Sequence, residues 1–186
     1  ICHKVRSTKE IDRENYKPGR NWSVDLLGRQ SVPGIVTGNR YLMVFTDRAT
    51  RWRFGIGVAN NGETEILRGA KEWVGKYIDR IRYWYAAREP RIEITLLSDN
   101  LEFRYKKVQE ELAAKDIIQF FTAPRHSSSN GLAERGFGII RTMARCMMKA
   151  KDLPVEFWEA ASLHAIYILN SRTQDVYTDN RSEEHT

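Results

Sequence analysis

The stretch Ile92-Glu93-Ile94-Thr95-Leu96-Leu97-Ser98-Asp99-Asn100 decides the fold class. It is an apolar run that ends in a carboxylate, and it lies between two segments of helical spacing. Upstream, Ile66, Leu67, Ala70, Val74, Tyr77, Ile78 and Ile81 recur at the helical period over 64–85, and Pro90 closes that stretch. Downstream, a helix is predicted over 102–114 and a short strand over 117–121. Three β-like runs come first, at 22–27, 41–46 and 52–58. Pro33-Gly34 and Gly38-Asn39 punctuate them, which predicts a meander. A Ser-rich loop over 122–130, a long helix over 131–151 and a last helix, opened by Pro154 and reaching Ser171, complete the order. Strands, helix, strand, helix, strand and two helices predict a mixed α/β domain with helices covering a central sheet.

The bulk properties narrow the classes. A chain of 186 residues suits one domain, and 41% hydrophobic residues suffice for a packed core, which excludes a disordered polypeptide. The net charge of +6 points toward nucleic acid, because phosphates reward Lys and Arg, although many soluble proteins are mildly basic. Two cysteines, Cys2 and Cys146, support no disulfide framework and point to a reducing compartment. No run of about 18 apolar residues predicts a membrane span. Residues 1–20 read as a polar, extended lead-in, and the start at Ile1 reads as a piece of a longer protein.

Three carboxylates stand out by position. Asp25 lies inside the first strand, where alternation puts it on one face with Ser23 and Leu27. Asp99 ends an apolar strand, where α/β sheets place ligands. Glu134 opens the long helix. On a helical wheel Gly138, Arg141 and Arg145 fall within roughly 40° of Glu134, while Leu132, Ile139, Ile140, Met143 and Met147 fall on the far side. A carboxylate beside arginines on a small-residue face suits a metal site next to a phosphate backbone; a solvated charged face is the alternative. Three carboxylates from two strands and a helix can hold two divalent ions about 3.5–4 Å apart for phosphodiester chemistry. Oxygen ligands of this kind favour Mg²⁺ or Mn²⁺ over zinc. With 24 Asp and Glu residues in the chain, spacing alone leaves many triples open.

The local wording is more specific. Asn130-Gly131-Leu132-Ala133-Glu134-Arg135 resembles the N-G-x-A-E-R signature of copia-type retrotransposon integrases. Trp22-Ser23-Val24-Asp25-Leu26-Leu27-Gly28 resembles the family's first acidic strand, and 41–51 its second strand and turn. Ser98-Asp99-Asn100-Leu101-Glu102-Phe103 resembles S-D-N-G-x-E-F, Leu153-Pro154-Val155-Glu156-Phe157-Trp158 resembles L-P-x-x-F-W, and Asn170-Ser171-Arg172-Thr173 resembles the N-R-x-P ending. These matches come in family order over residues 21–173. The resemblance implies a ribonuclease-H-like fold, a mixed five-stranded sheet flanked by helices. It implies that Asp25, Asp99 and Glu134 are the catalytic, metal-binding triad for two Mg²⁺ or Mn²⁺ ions. It also implies cleavage and strand transfer of element DNA into target DNA, a homo-oligomer working on DNA ends, and residence in element particles in the cytoplasm and then in the nucleus. Arg135, Arg141, Arg145 and Lys149 are the expected DNA contacts, with Lys151 extending the stripe; they would bind phosphates without reading sequence.

The ends and the departures carry expectations of their own. Cys2-His3-Lys4 resembles the last ligand region of the family's N-terminal zinc-binding module, so residues 1–20 read as a remnant and linker that holds no zinc by itself. Residues 174–186 read as a tail, and Arg181-Ser182-Glu183-Glu184-His185-Thr186 resembles a translated sequencing adapter, an artefact. Between Asp99 and Glu134 lie 34 residues, one fewer than is usual, and Leu101 stands where the family has glycine, which predicts a strained backbone there. Gly136-Phe137-Gly138 replaces the family's polar and basic residues. A catalytically inactive, DNA-binding remnant of such an element is therefore the alternative function. Asp47 is a rival metal ligand but reads as a turn residue, and His126 as a loop residue that could alternatively touch DNA or the metal site. His164 reads as a packing or surface residue, and Cys146 as inert packing. Trp73, Trp84 and Trp158 read as core or interface anchors rather than base-stacking platforms.

Overall fold

Strand β1 (Asn21–Leu27) is apolar or small on both faces, and it is buried on both faces: Trp22 and Val24 on one side, Ser23 and Leu27 on the other. Such a strand belongs in the middle of a sheet. In the computed structural model, which describes residues 16–89, 91–98, 101–121 and 131–171 (the backbone alone for 101 and 131–135), it does. The sheet has five strands in the order β3-β2-β1-β4-β5. Strands β1, β2 (Tyr41–Asp47) and β3 (Arg53–Val58) form the expected antiparallel meander, while β4 (Ile94–Ser98) and β5 (Ile117–Phe121) run parallel to β1. This is the mixed five-stranded, helix-flanked α/β architecture expected from the sequence.

Each face is covered by helices. On one face Trp22, Val24, Met43, Phe45, Ile56 and Leu96 meet Ile66, Ala70 and Trp73 of α1 (Glu63–Trp73) and Val108 and Leu112 of α3 (Lys106–Ala114). On the other, Leu27, Leu42 and Val44 meet Phe137 and Ile140 of α4 (Gly131–Ala150) and Trp158, Ala165, Ile166 and Leu169 of α5 (Trp158–Ser171). An aromatic cluster centres the first core: the Trp73 ring stacks on Phe45 at 4.6 Å and meets Trp22 edge-on at 5.4 Å, and Phe103 meets Phe45 edge-on at 6.1 Å.

Three boundaries differ from the sequence reading. The helix expected over 64–85 is broken by a π-helical turn, Val74–Ile78, before α2 (Asp79–Ala86). That wider turn carries both Tyr77, whose ring lies over Trp52 and Phe54, and the fully buried Ile78. The helix expected from residue 102 starts as a 3-10 turn, Leu101–Arg104, and Tyr105, extended at φ −57° and ψ 134°, separates it from α3. The separate turn directs Phe103 into the core at 0% exposure. The fourth strand starts at Ile94 rather than Ile92. The lead-in before residue 16, the loop over 122–130 and the tail from 172 lie outside the described residues.

Trp73→Ala opens a large cavity among three aromatic rings and is expected to cost about 3–5 kcal/mol, read as a lower urea midpoint. Trp73→Phe keeps most of the stack and removes an indole N–H that is buried without a partner, so its loss is expected to be the smaller of the two.

Candidate nucleic-acid-processing site

Asp25 sits in the second half of β1, opposite Val44 of β2. Strand alternation puts it on the face that Leu27 and Val44 share with α4 and α5, as expected. Its carboxylate is half-buried, and Oδ1 accepts the Leu26 N–H at 2.8 Å. On its other side β1 pairs in parallel with β4, with Val24 opposite Ser98. Chain β4 thus ends beside Asp25, and the next residue in the sequence is Asp99. Helix α4 packs on β1 and α5, and residue 134 belongs to its first turns. Asp99, with the side chains of Glu134 and Arg135, lies outside the described residues. Among the described residues no three His, Cys, Asp or Glu side chains gather as a metal site, and Asp25 is the one member of the expected triad whose side chain is described.

Two residues away along β1, a polar row crosses the sheet on the same face. Ser23 pairs with Thr46 and Thr46 with Arg53, and these residues are 2%, 4% and 6% exposed. The Arg53 Nε and Nη1 and the Ser23 Oγ are buried without a hydrogen-bond partner among the described residues. Burial lowers the Arg53 pKa below its ordinary value, and Arg51 nearby adds to the shift. Gly136 lies near this guanidinium: a Cβ there would stand 3.4 Å from Nε, an ordinary van der Waals contact. The Asn170 side chain brackets the Arg53 backbone, accepting its N–H at 2.8 Å and donating to its C=O at 2.7 Å. The motif asparagine near the end of α5 thereby covers edge strand β3.

The expected phosphate stripe is partly described. Arg141, Arg145 and Lys149 are exposed on α4, as is Gly138, and the three cations make no ion pair among the described residues. Ile140 is buried and Met143 and Met147 pack against the same core, as the wheel places them; Phe137 and Ala144 are buried beside them, whereas Ile139 is 46% exposed. Helix α4 packs against α5 as well as against the sheet, so its apolar face is shared between two partners. Cys146 is exposed, not packed.

Asp47 proves to be the turn residue. It is 3% exposed, and its carboxylate accepts the N–H groups of Gly19 (3.1 Å), Ala49 (3.4 Å) and Thr50 (3.3 Å) and the Thr50 hydroxyl (2.6 Å). Its strand position puts it on the face opposite Asp25. Sequence reasoning missed Glu159, 6% exposed at the start of α5, which accepts hydrogen bonds from Thr37 and from Asn39 Nδ2 (2.7 Å) and so ties the β1–β2 loop to the helix. The available signal was its spacing of three and seven from Ser162 and Ile166, which are buried on the same helix.

No protein-family model matches the sequence. Among solved structures, a chain of the cryo-EM structure of the simian T-cell lymphotropic virus intasome in complex with PP2A regulatory subunit B56 gamma aligns with a TM-score of 0.58 at 17% identity. The two chains share a fold. The alignment covers 91% of this chain and 56% of that one, so the chain matches little more than half of its neighbour's length. No helix among the described residues is long and apolar enough to cross a membrane.

Asp47→Ala removes the acceptor of the β2–β3 turn and of the Gly19 amide. It is expected to cost about 3 kcal/mol, at the upper end for hydrogen bonds to a charged group, measured by urea unfolding. Any change in melting temperature on adding Mn²⁺ is expected to match that of the unsubstituted protein.

Proposed function

We propose that the chain is the catalytic core of a copia-type retrotransposon integrase, a polynucleotidyl transferase that cuts element DNA and joins it to target DNA. The observation that carries this reading is the β1–β4 register. Val24 pairs with Ser98, the last residue of β4, so that strand ends beside Asp25, and in the sequence Ser98 opens the Ser98-Asp99-Asn100 motif. Helix α4, which carries Glu134 in its Asn130-to-Arg135 motif, packs on the same strand.

In this reading Asp25, Asp99 and Glu134 hold two Mg²⁺ or Mn²⁺ ions. When bound, such ions activate the attacking oxygen and stabilise the leaving one. The chain's own contribution is rigidity and charge. Asp25 projects from a strand hydrogen-bonded on both sides, which restrains its carboxylate to the tolerance that positioning demands. Arg141, Arg145 and Lys149 neutralise phosphates along the exposed flank of α4, with Arg135 as a fourth contact. DNA ends and target DNA are the proposed partners, a homo-oligomer the proposed working form, and element particles and the nucleus the proposed location. The missing glycine after Asn100 is no obstacle at residue 101 itself: Leu101 opens a right-handed 3-10 turn, a conformation leucine adopts without strain.

The test is disintegration, the reversal of strand transfer on a branched DNA, with Mn²⁺ present. Activity is expected in the purified chain and its loss in Asp25→Asn, Asp99→Asn and Glu134→Gln, each with unchanged folding. Undiminished activity in Asp25→Asn would remove the site assignment. A folded, DNA-binding chain without activity would instead establish the alternative, a decayed remnant.

A further inference from the structure

Helix α2 buries none of its residues completely, and its two sides are built differently. Its inner side is pinned. Arg82 donates to the carbonyls of Lys115 and Asp116, the Tyr85 hydroxyl donates to the Pro18 carbonyl at 3.1 Å, and Arg20 lies over the Tyr85 ring at 4.8 Å. Just beyond the helix, Glu89 pairs with Arg20 and Lys17. The outer side makes no such contacts among the described residues. Trp84 is 79% exposed and Tyr83 beside it 82%. Arg80 stands one helical turn before Trp84, Arg88 lies in the turn that follows the helix, and neither forms an ion pair among the described residues.

We infer that this outer face of α2 is a second nucleic-acid site, one that takes a single strand with unpaired bases. Trp84 is the stacking platform, Tyr83 its neighbour, and Arg80 and Arg88 the phosphate contacts. An indole standing out from a helix offers its face to a base only when that base is unpaired, and stacking of this kind tolerates any sequence. Charge selects a polyanion as the occupant: Arg80 precedes the indole and Arg88 follows it, and the chain carries a net charge of +6. The pinned inner side keeps the platform fixed, so little ordering opposes binding.

The face is separate from the candidate site. Residues 17–20 and 115–116, to which α2 is tied, precede β1 and β5, whereas Asp25 and Ser98 lie toward the C-terminal ends of β1 and β4. Helix α1, which leads into α2, packs on the sheet face opposite α4. A strand held at Trp84 is therefore a different stretch of nucleic acid from one lying along Arg141 and Arg145.

Anisotropy of a labelled oligothymidylate titrated with the full chain tests this, alongside a duplex of the same length. Trp84→Ala is expected to weaken oligothymidylate binding by about five- to a hundredfold, with the melting temperature and duplex binding unchanged, and Trp84→Phe to keep most of the affinity. Arg80→Ala with Arg88→Ala is expected to flatten the slope of log affinity against log salt by about 1.4, two phosphates' worth for a single strand. Both effects should persist in Asp25→Asn and in Arg141→Ala/Arg145→Ala, which separates this site from the proposed catalytic one. Unchanged oligothymidylate affinity in Trp84→Ala would overturn the inference. Loss of self-association in that variant, seen by sedimentation with single-strand binding intact, would also overturn it and make the face a contact between copies.

Discussion

The parallel pairing of β1 with β4 is the constraint on which the rest of the structure depends. It joins the antiparallel meander β1-β2-β3 to the parallel half of the sheet, and it does so at the strand that is buried on both faces. Because side chains alternate, this one register assigns Trp22 and Val24 to the aromatic core under α1 and α3, and Ser23, Asp25 and Leu27 to the layer under α4 and α5. A slip of one residue would place a carboxylate in the aromatic core and Trp22 against α4, a cost that holds the register firmly. The same pairing ends β4 next to Asp25, so one contact secures both the core and the candidate site.

The layer under α4 is less apolar than its counterpart. Ser23, Thr46 and Arg53 form a buried polar row two residues along β1 from Asp25, with two guanidinium nitrogens and a hydroxyl that lack partners among the described residues. A buried cation of this kind is costly and persists where its surroundings compensate. Gly136 lies close to that guanidinium, with room for a Cβ at ordinary contact distance. Asn170 completes the arrangement by fixing the Arg53 backbone from the end of α5.

Much of this was legible in the sequence where local pattern and tertiary context agree. The three β-runs of the meander, the strand ending at Ser98 and the long helix after Asn130 are set by alternation or by period, and they form as read. The face of Asp25 followed from strand alternation alone. What could not be read depended on a second partner. The helical wheel of α4 placed Ile140, Met143 and Met147 inward, as they are, but it treated the sheet as the one neighbour, whereas α5 also packs on that helix and Phe137 and Ala144 are buried as well. The π-helical turn at Val74–Ile78 answers the rings of Trp52 and Phe54 on a different strand, which helical periodicity cannot register. Trp84 continues the apolar count of a helix that, by that point, has only its inner side tied down; Trp73 and Trp158 are buried as read, but Trp84 is exposed.

In the proposed function, β1 presents Asp25 as a metal ligand at the end of β4. Crystals grown with Mn²⁺ and measured near the manganese absorption edge test this. The expected result is an anomalous peak within about 2.0–2.5 Å of an Asp25 carboxylate oxygen, the range of oxygen–divalent-metal bonds. An ordered Asp25 with no peak beside it at saturating Mn²⁺, or a peak at Asp47 on the opposite face instead, would contradict it.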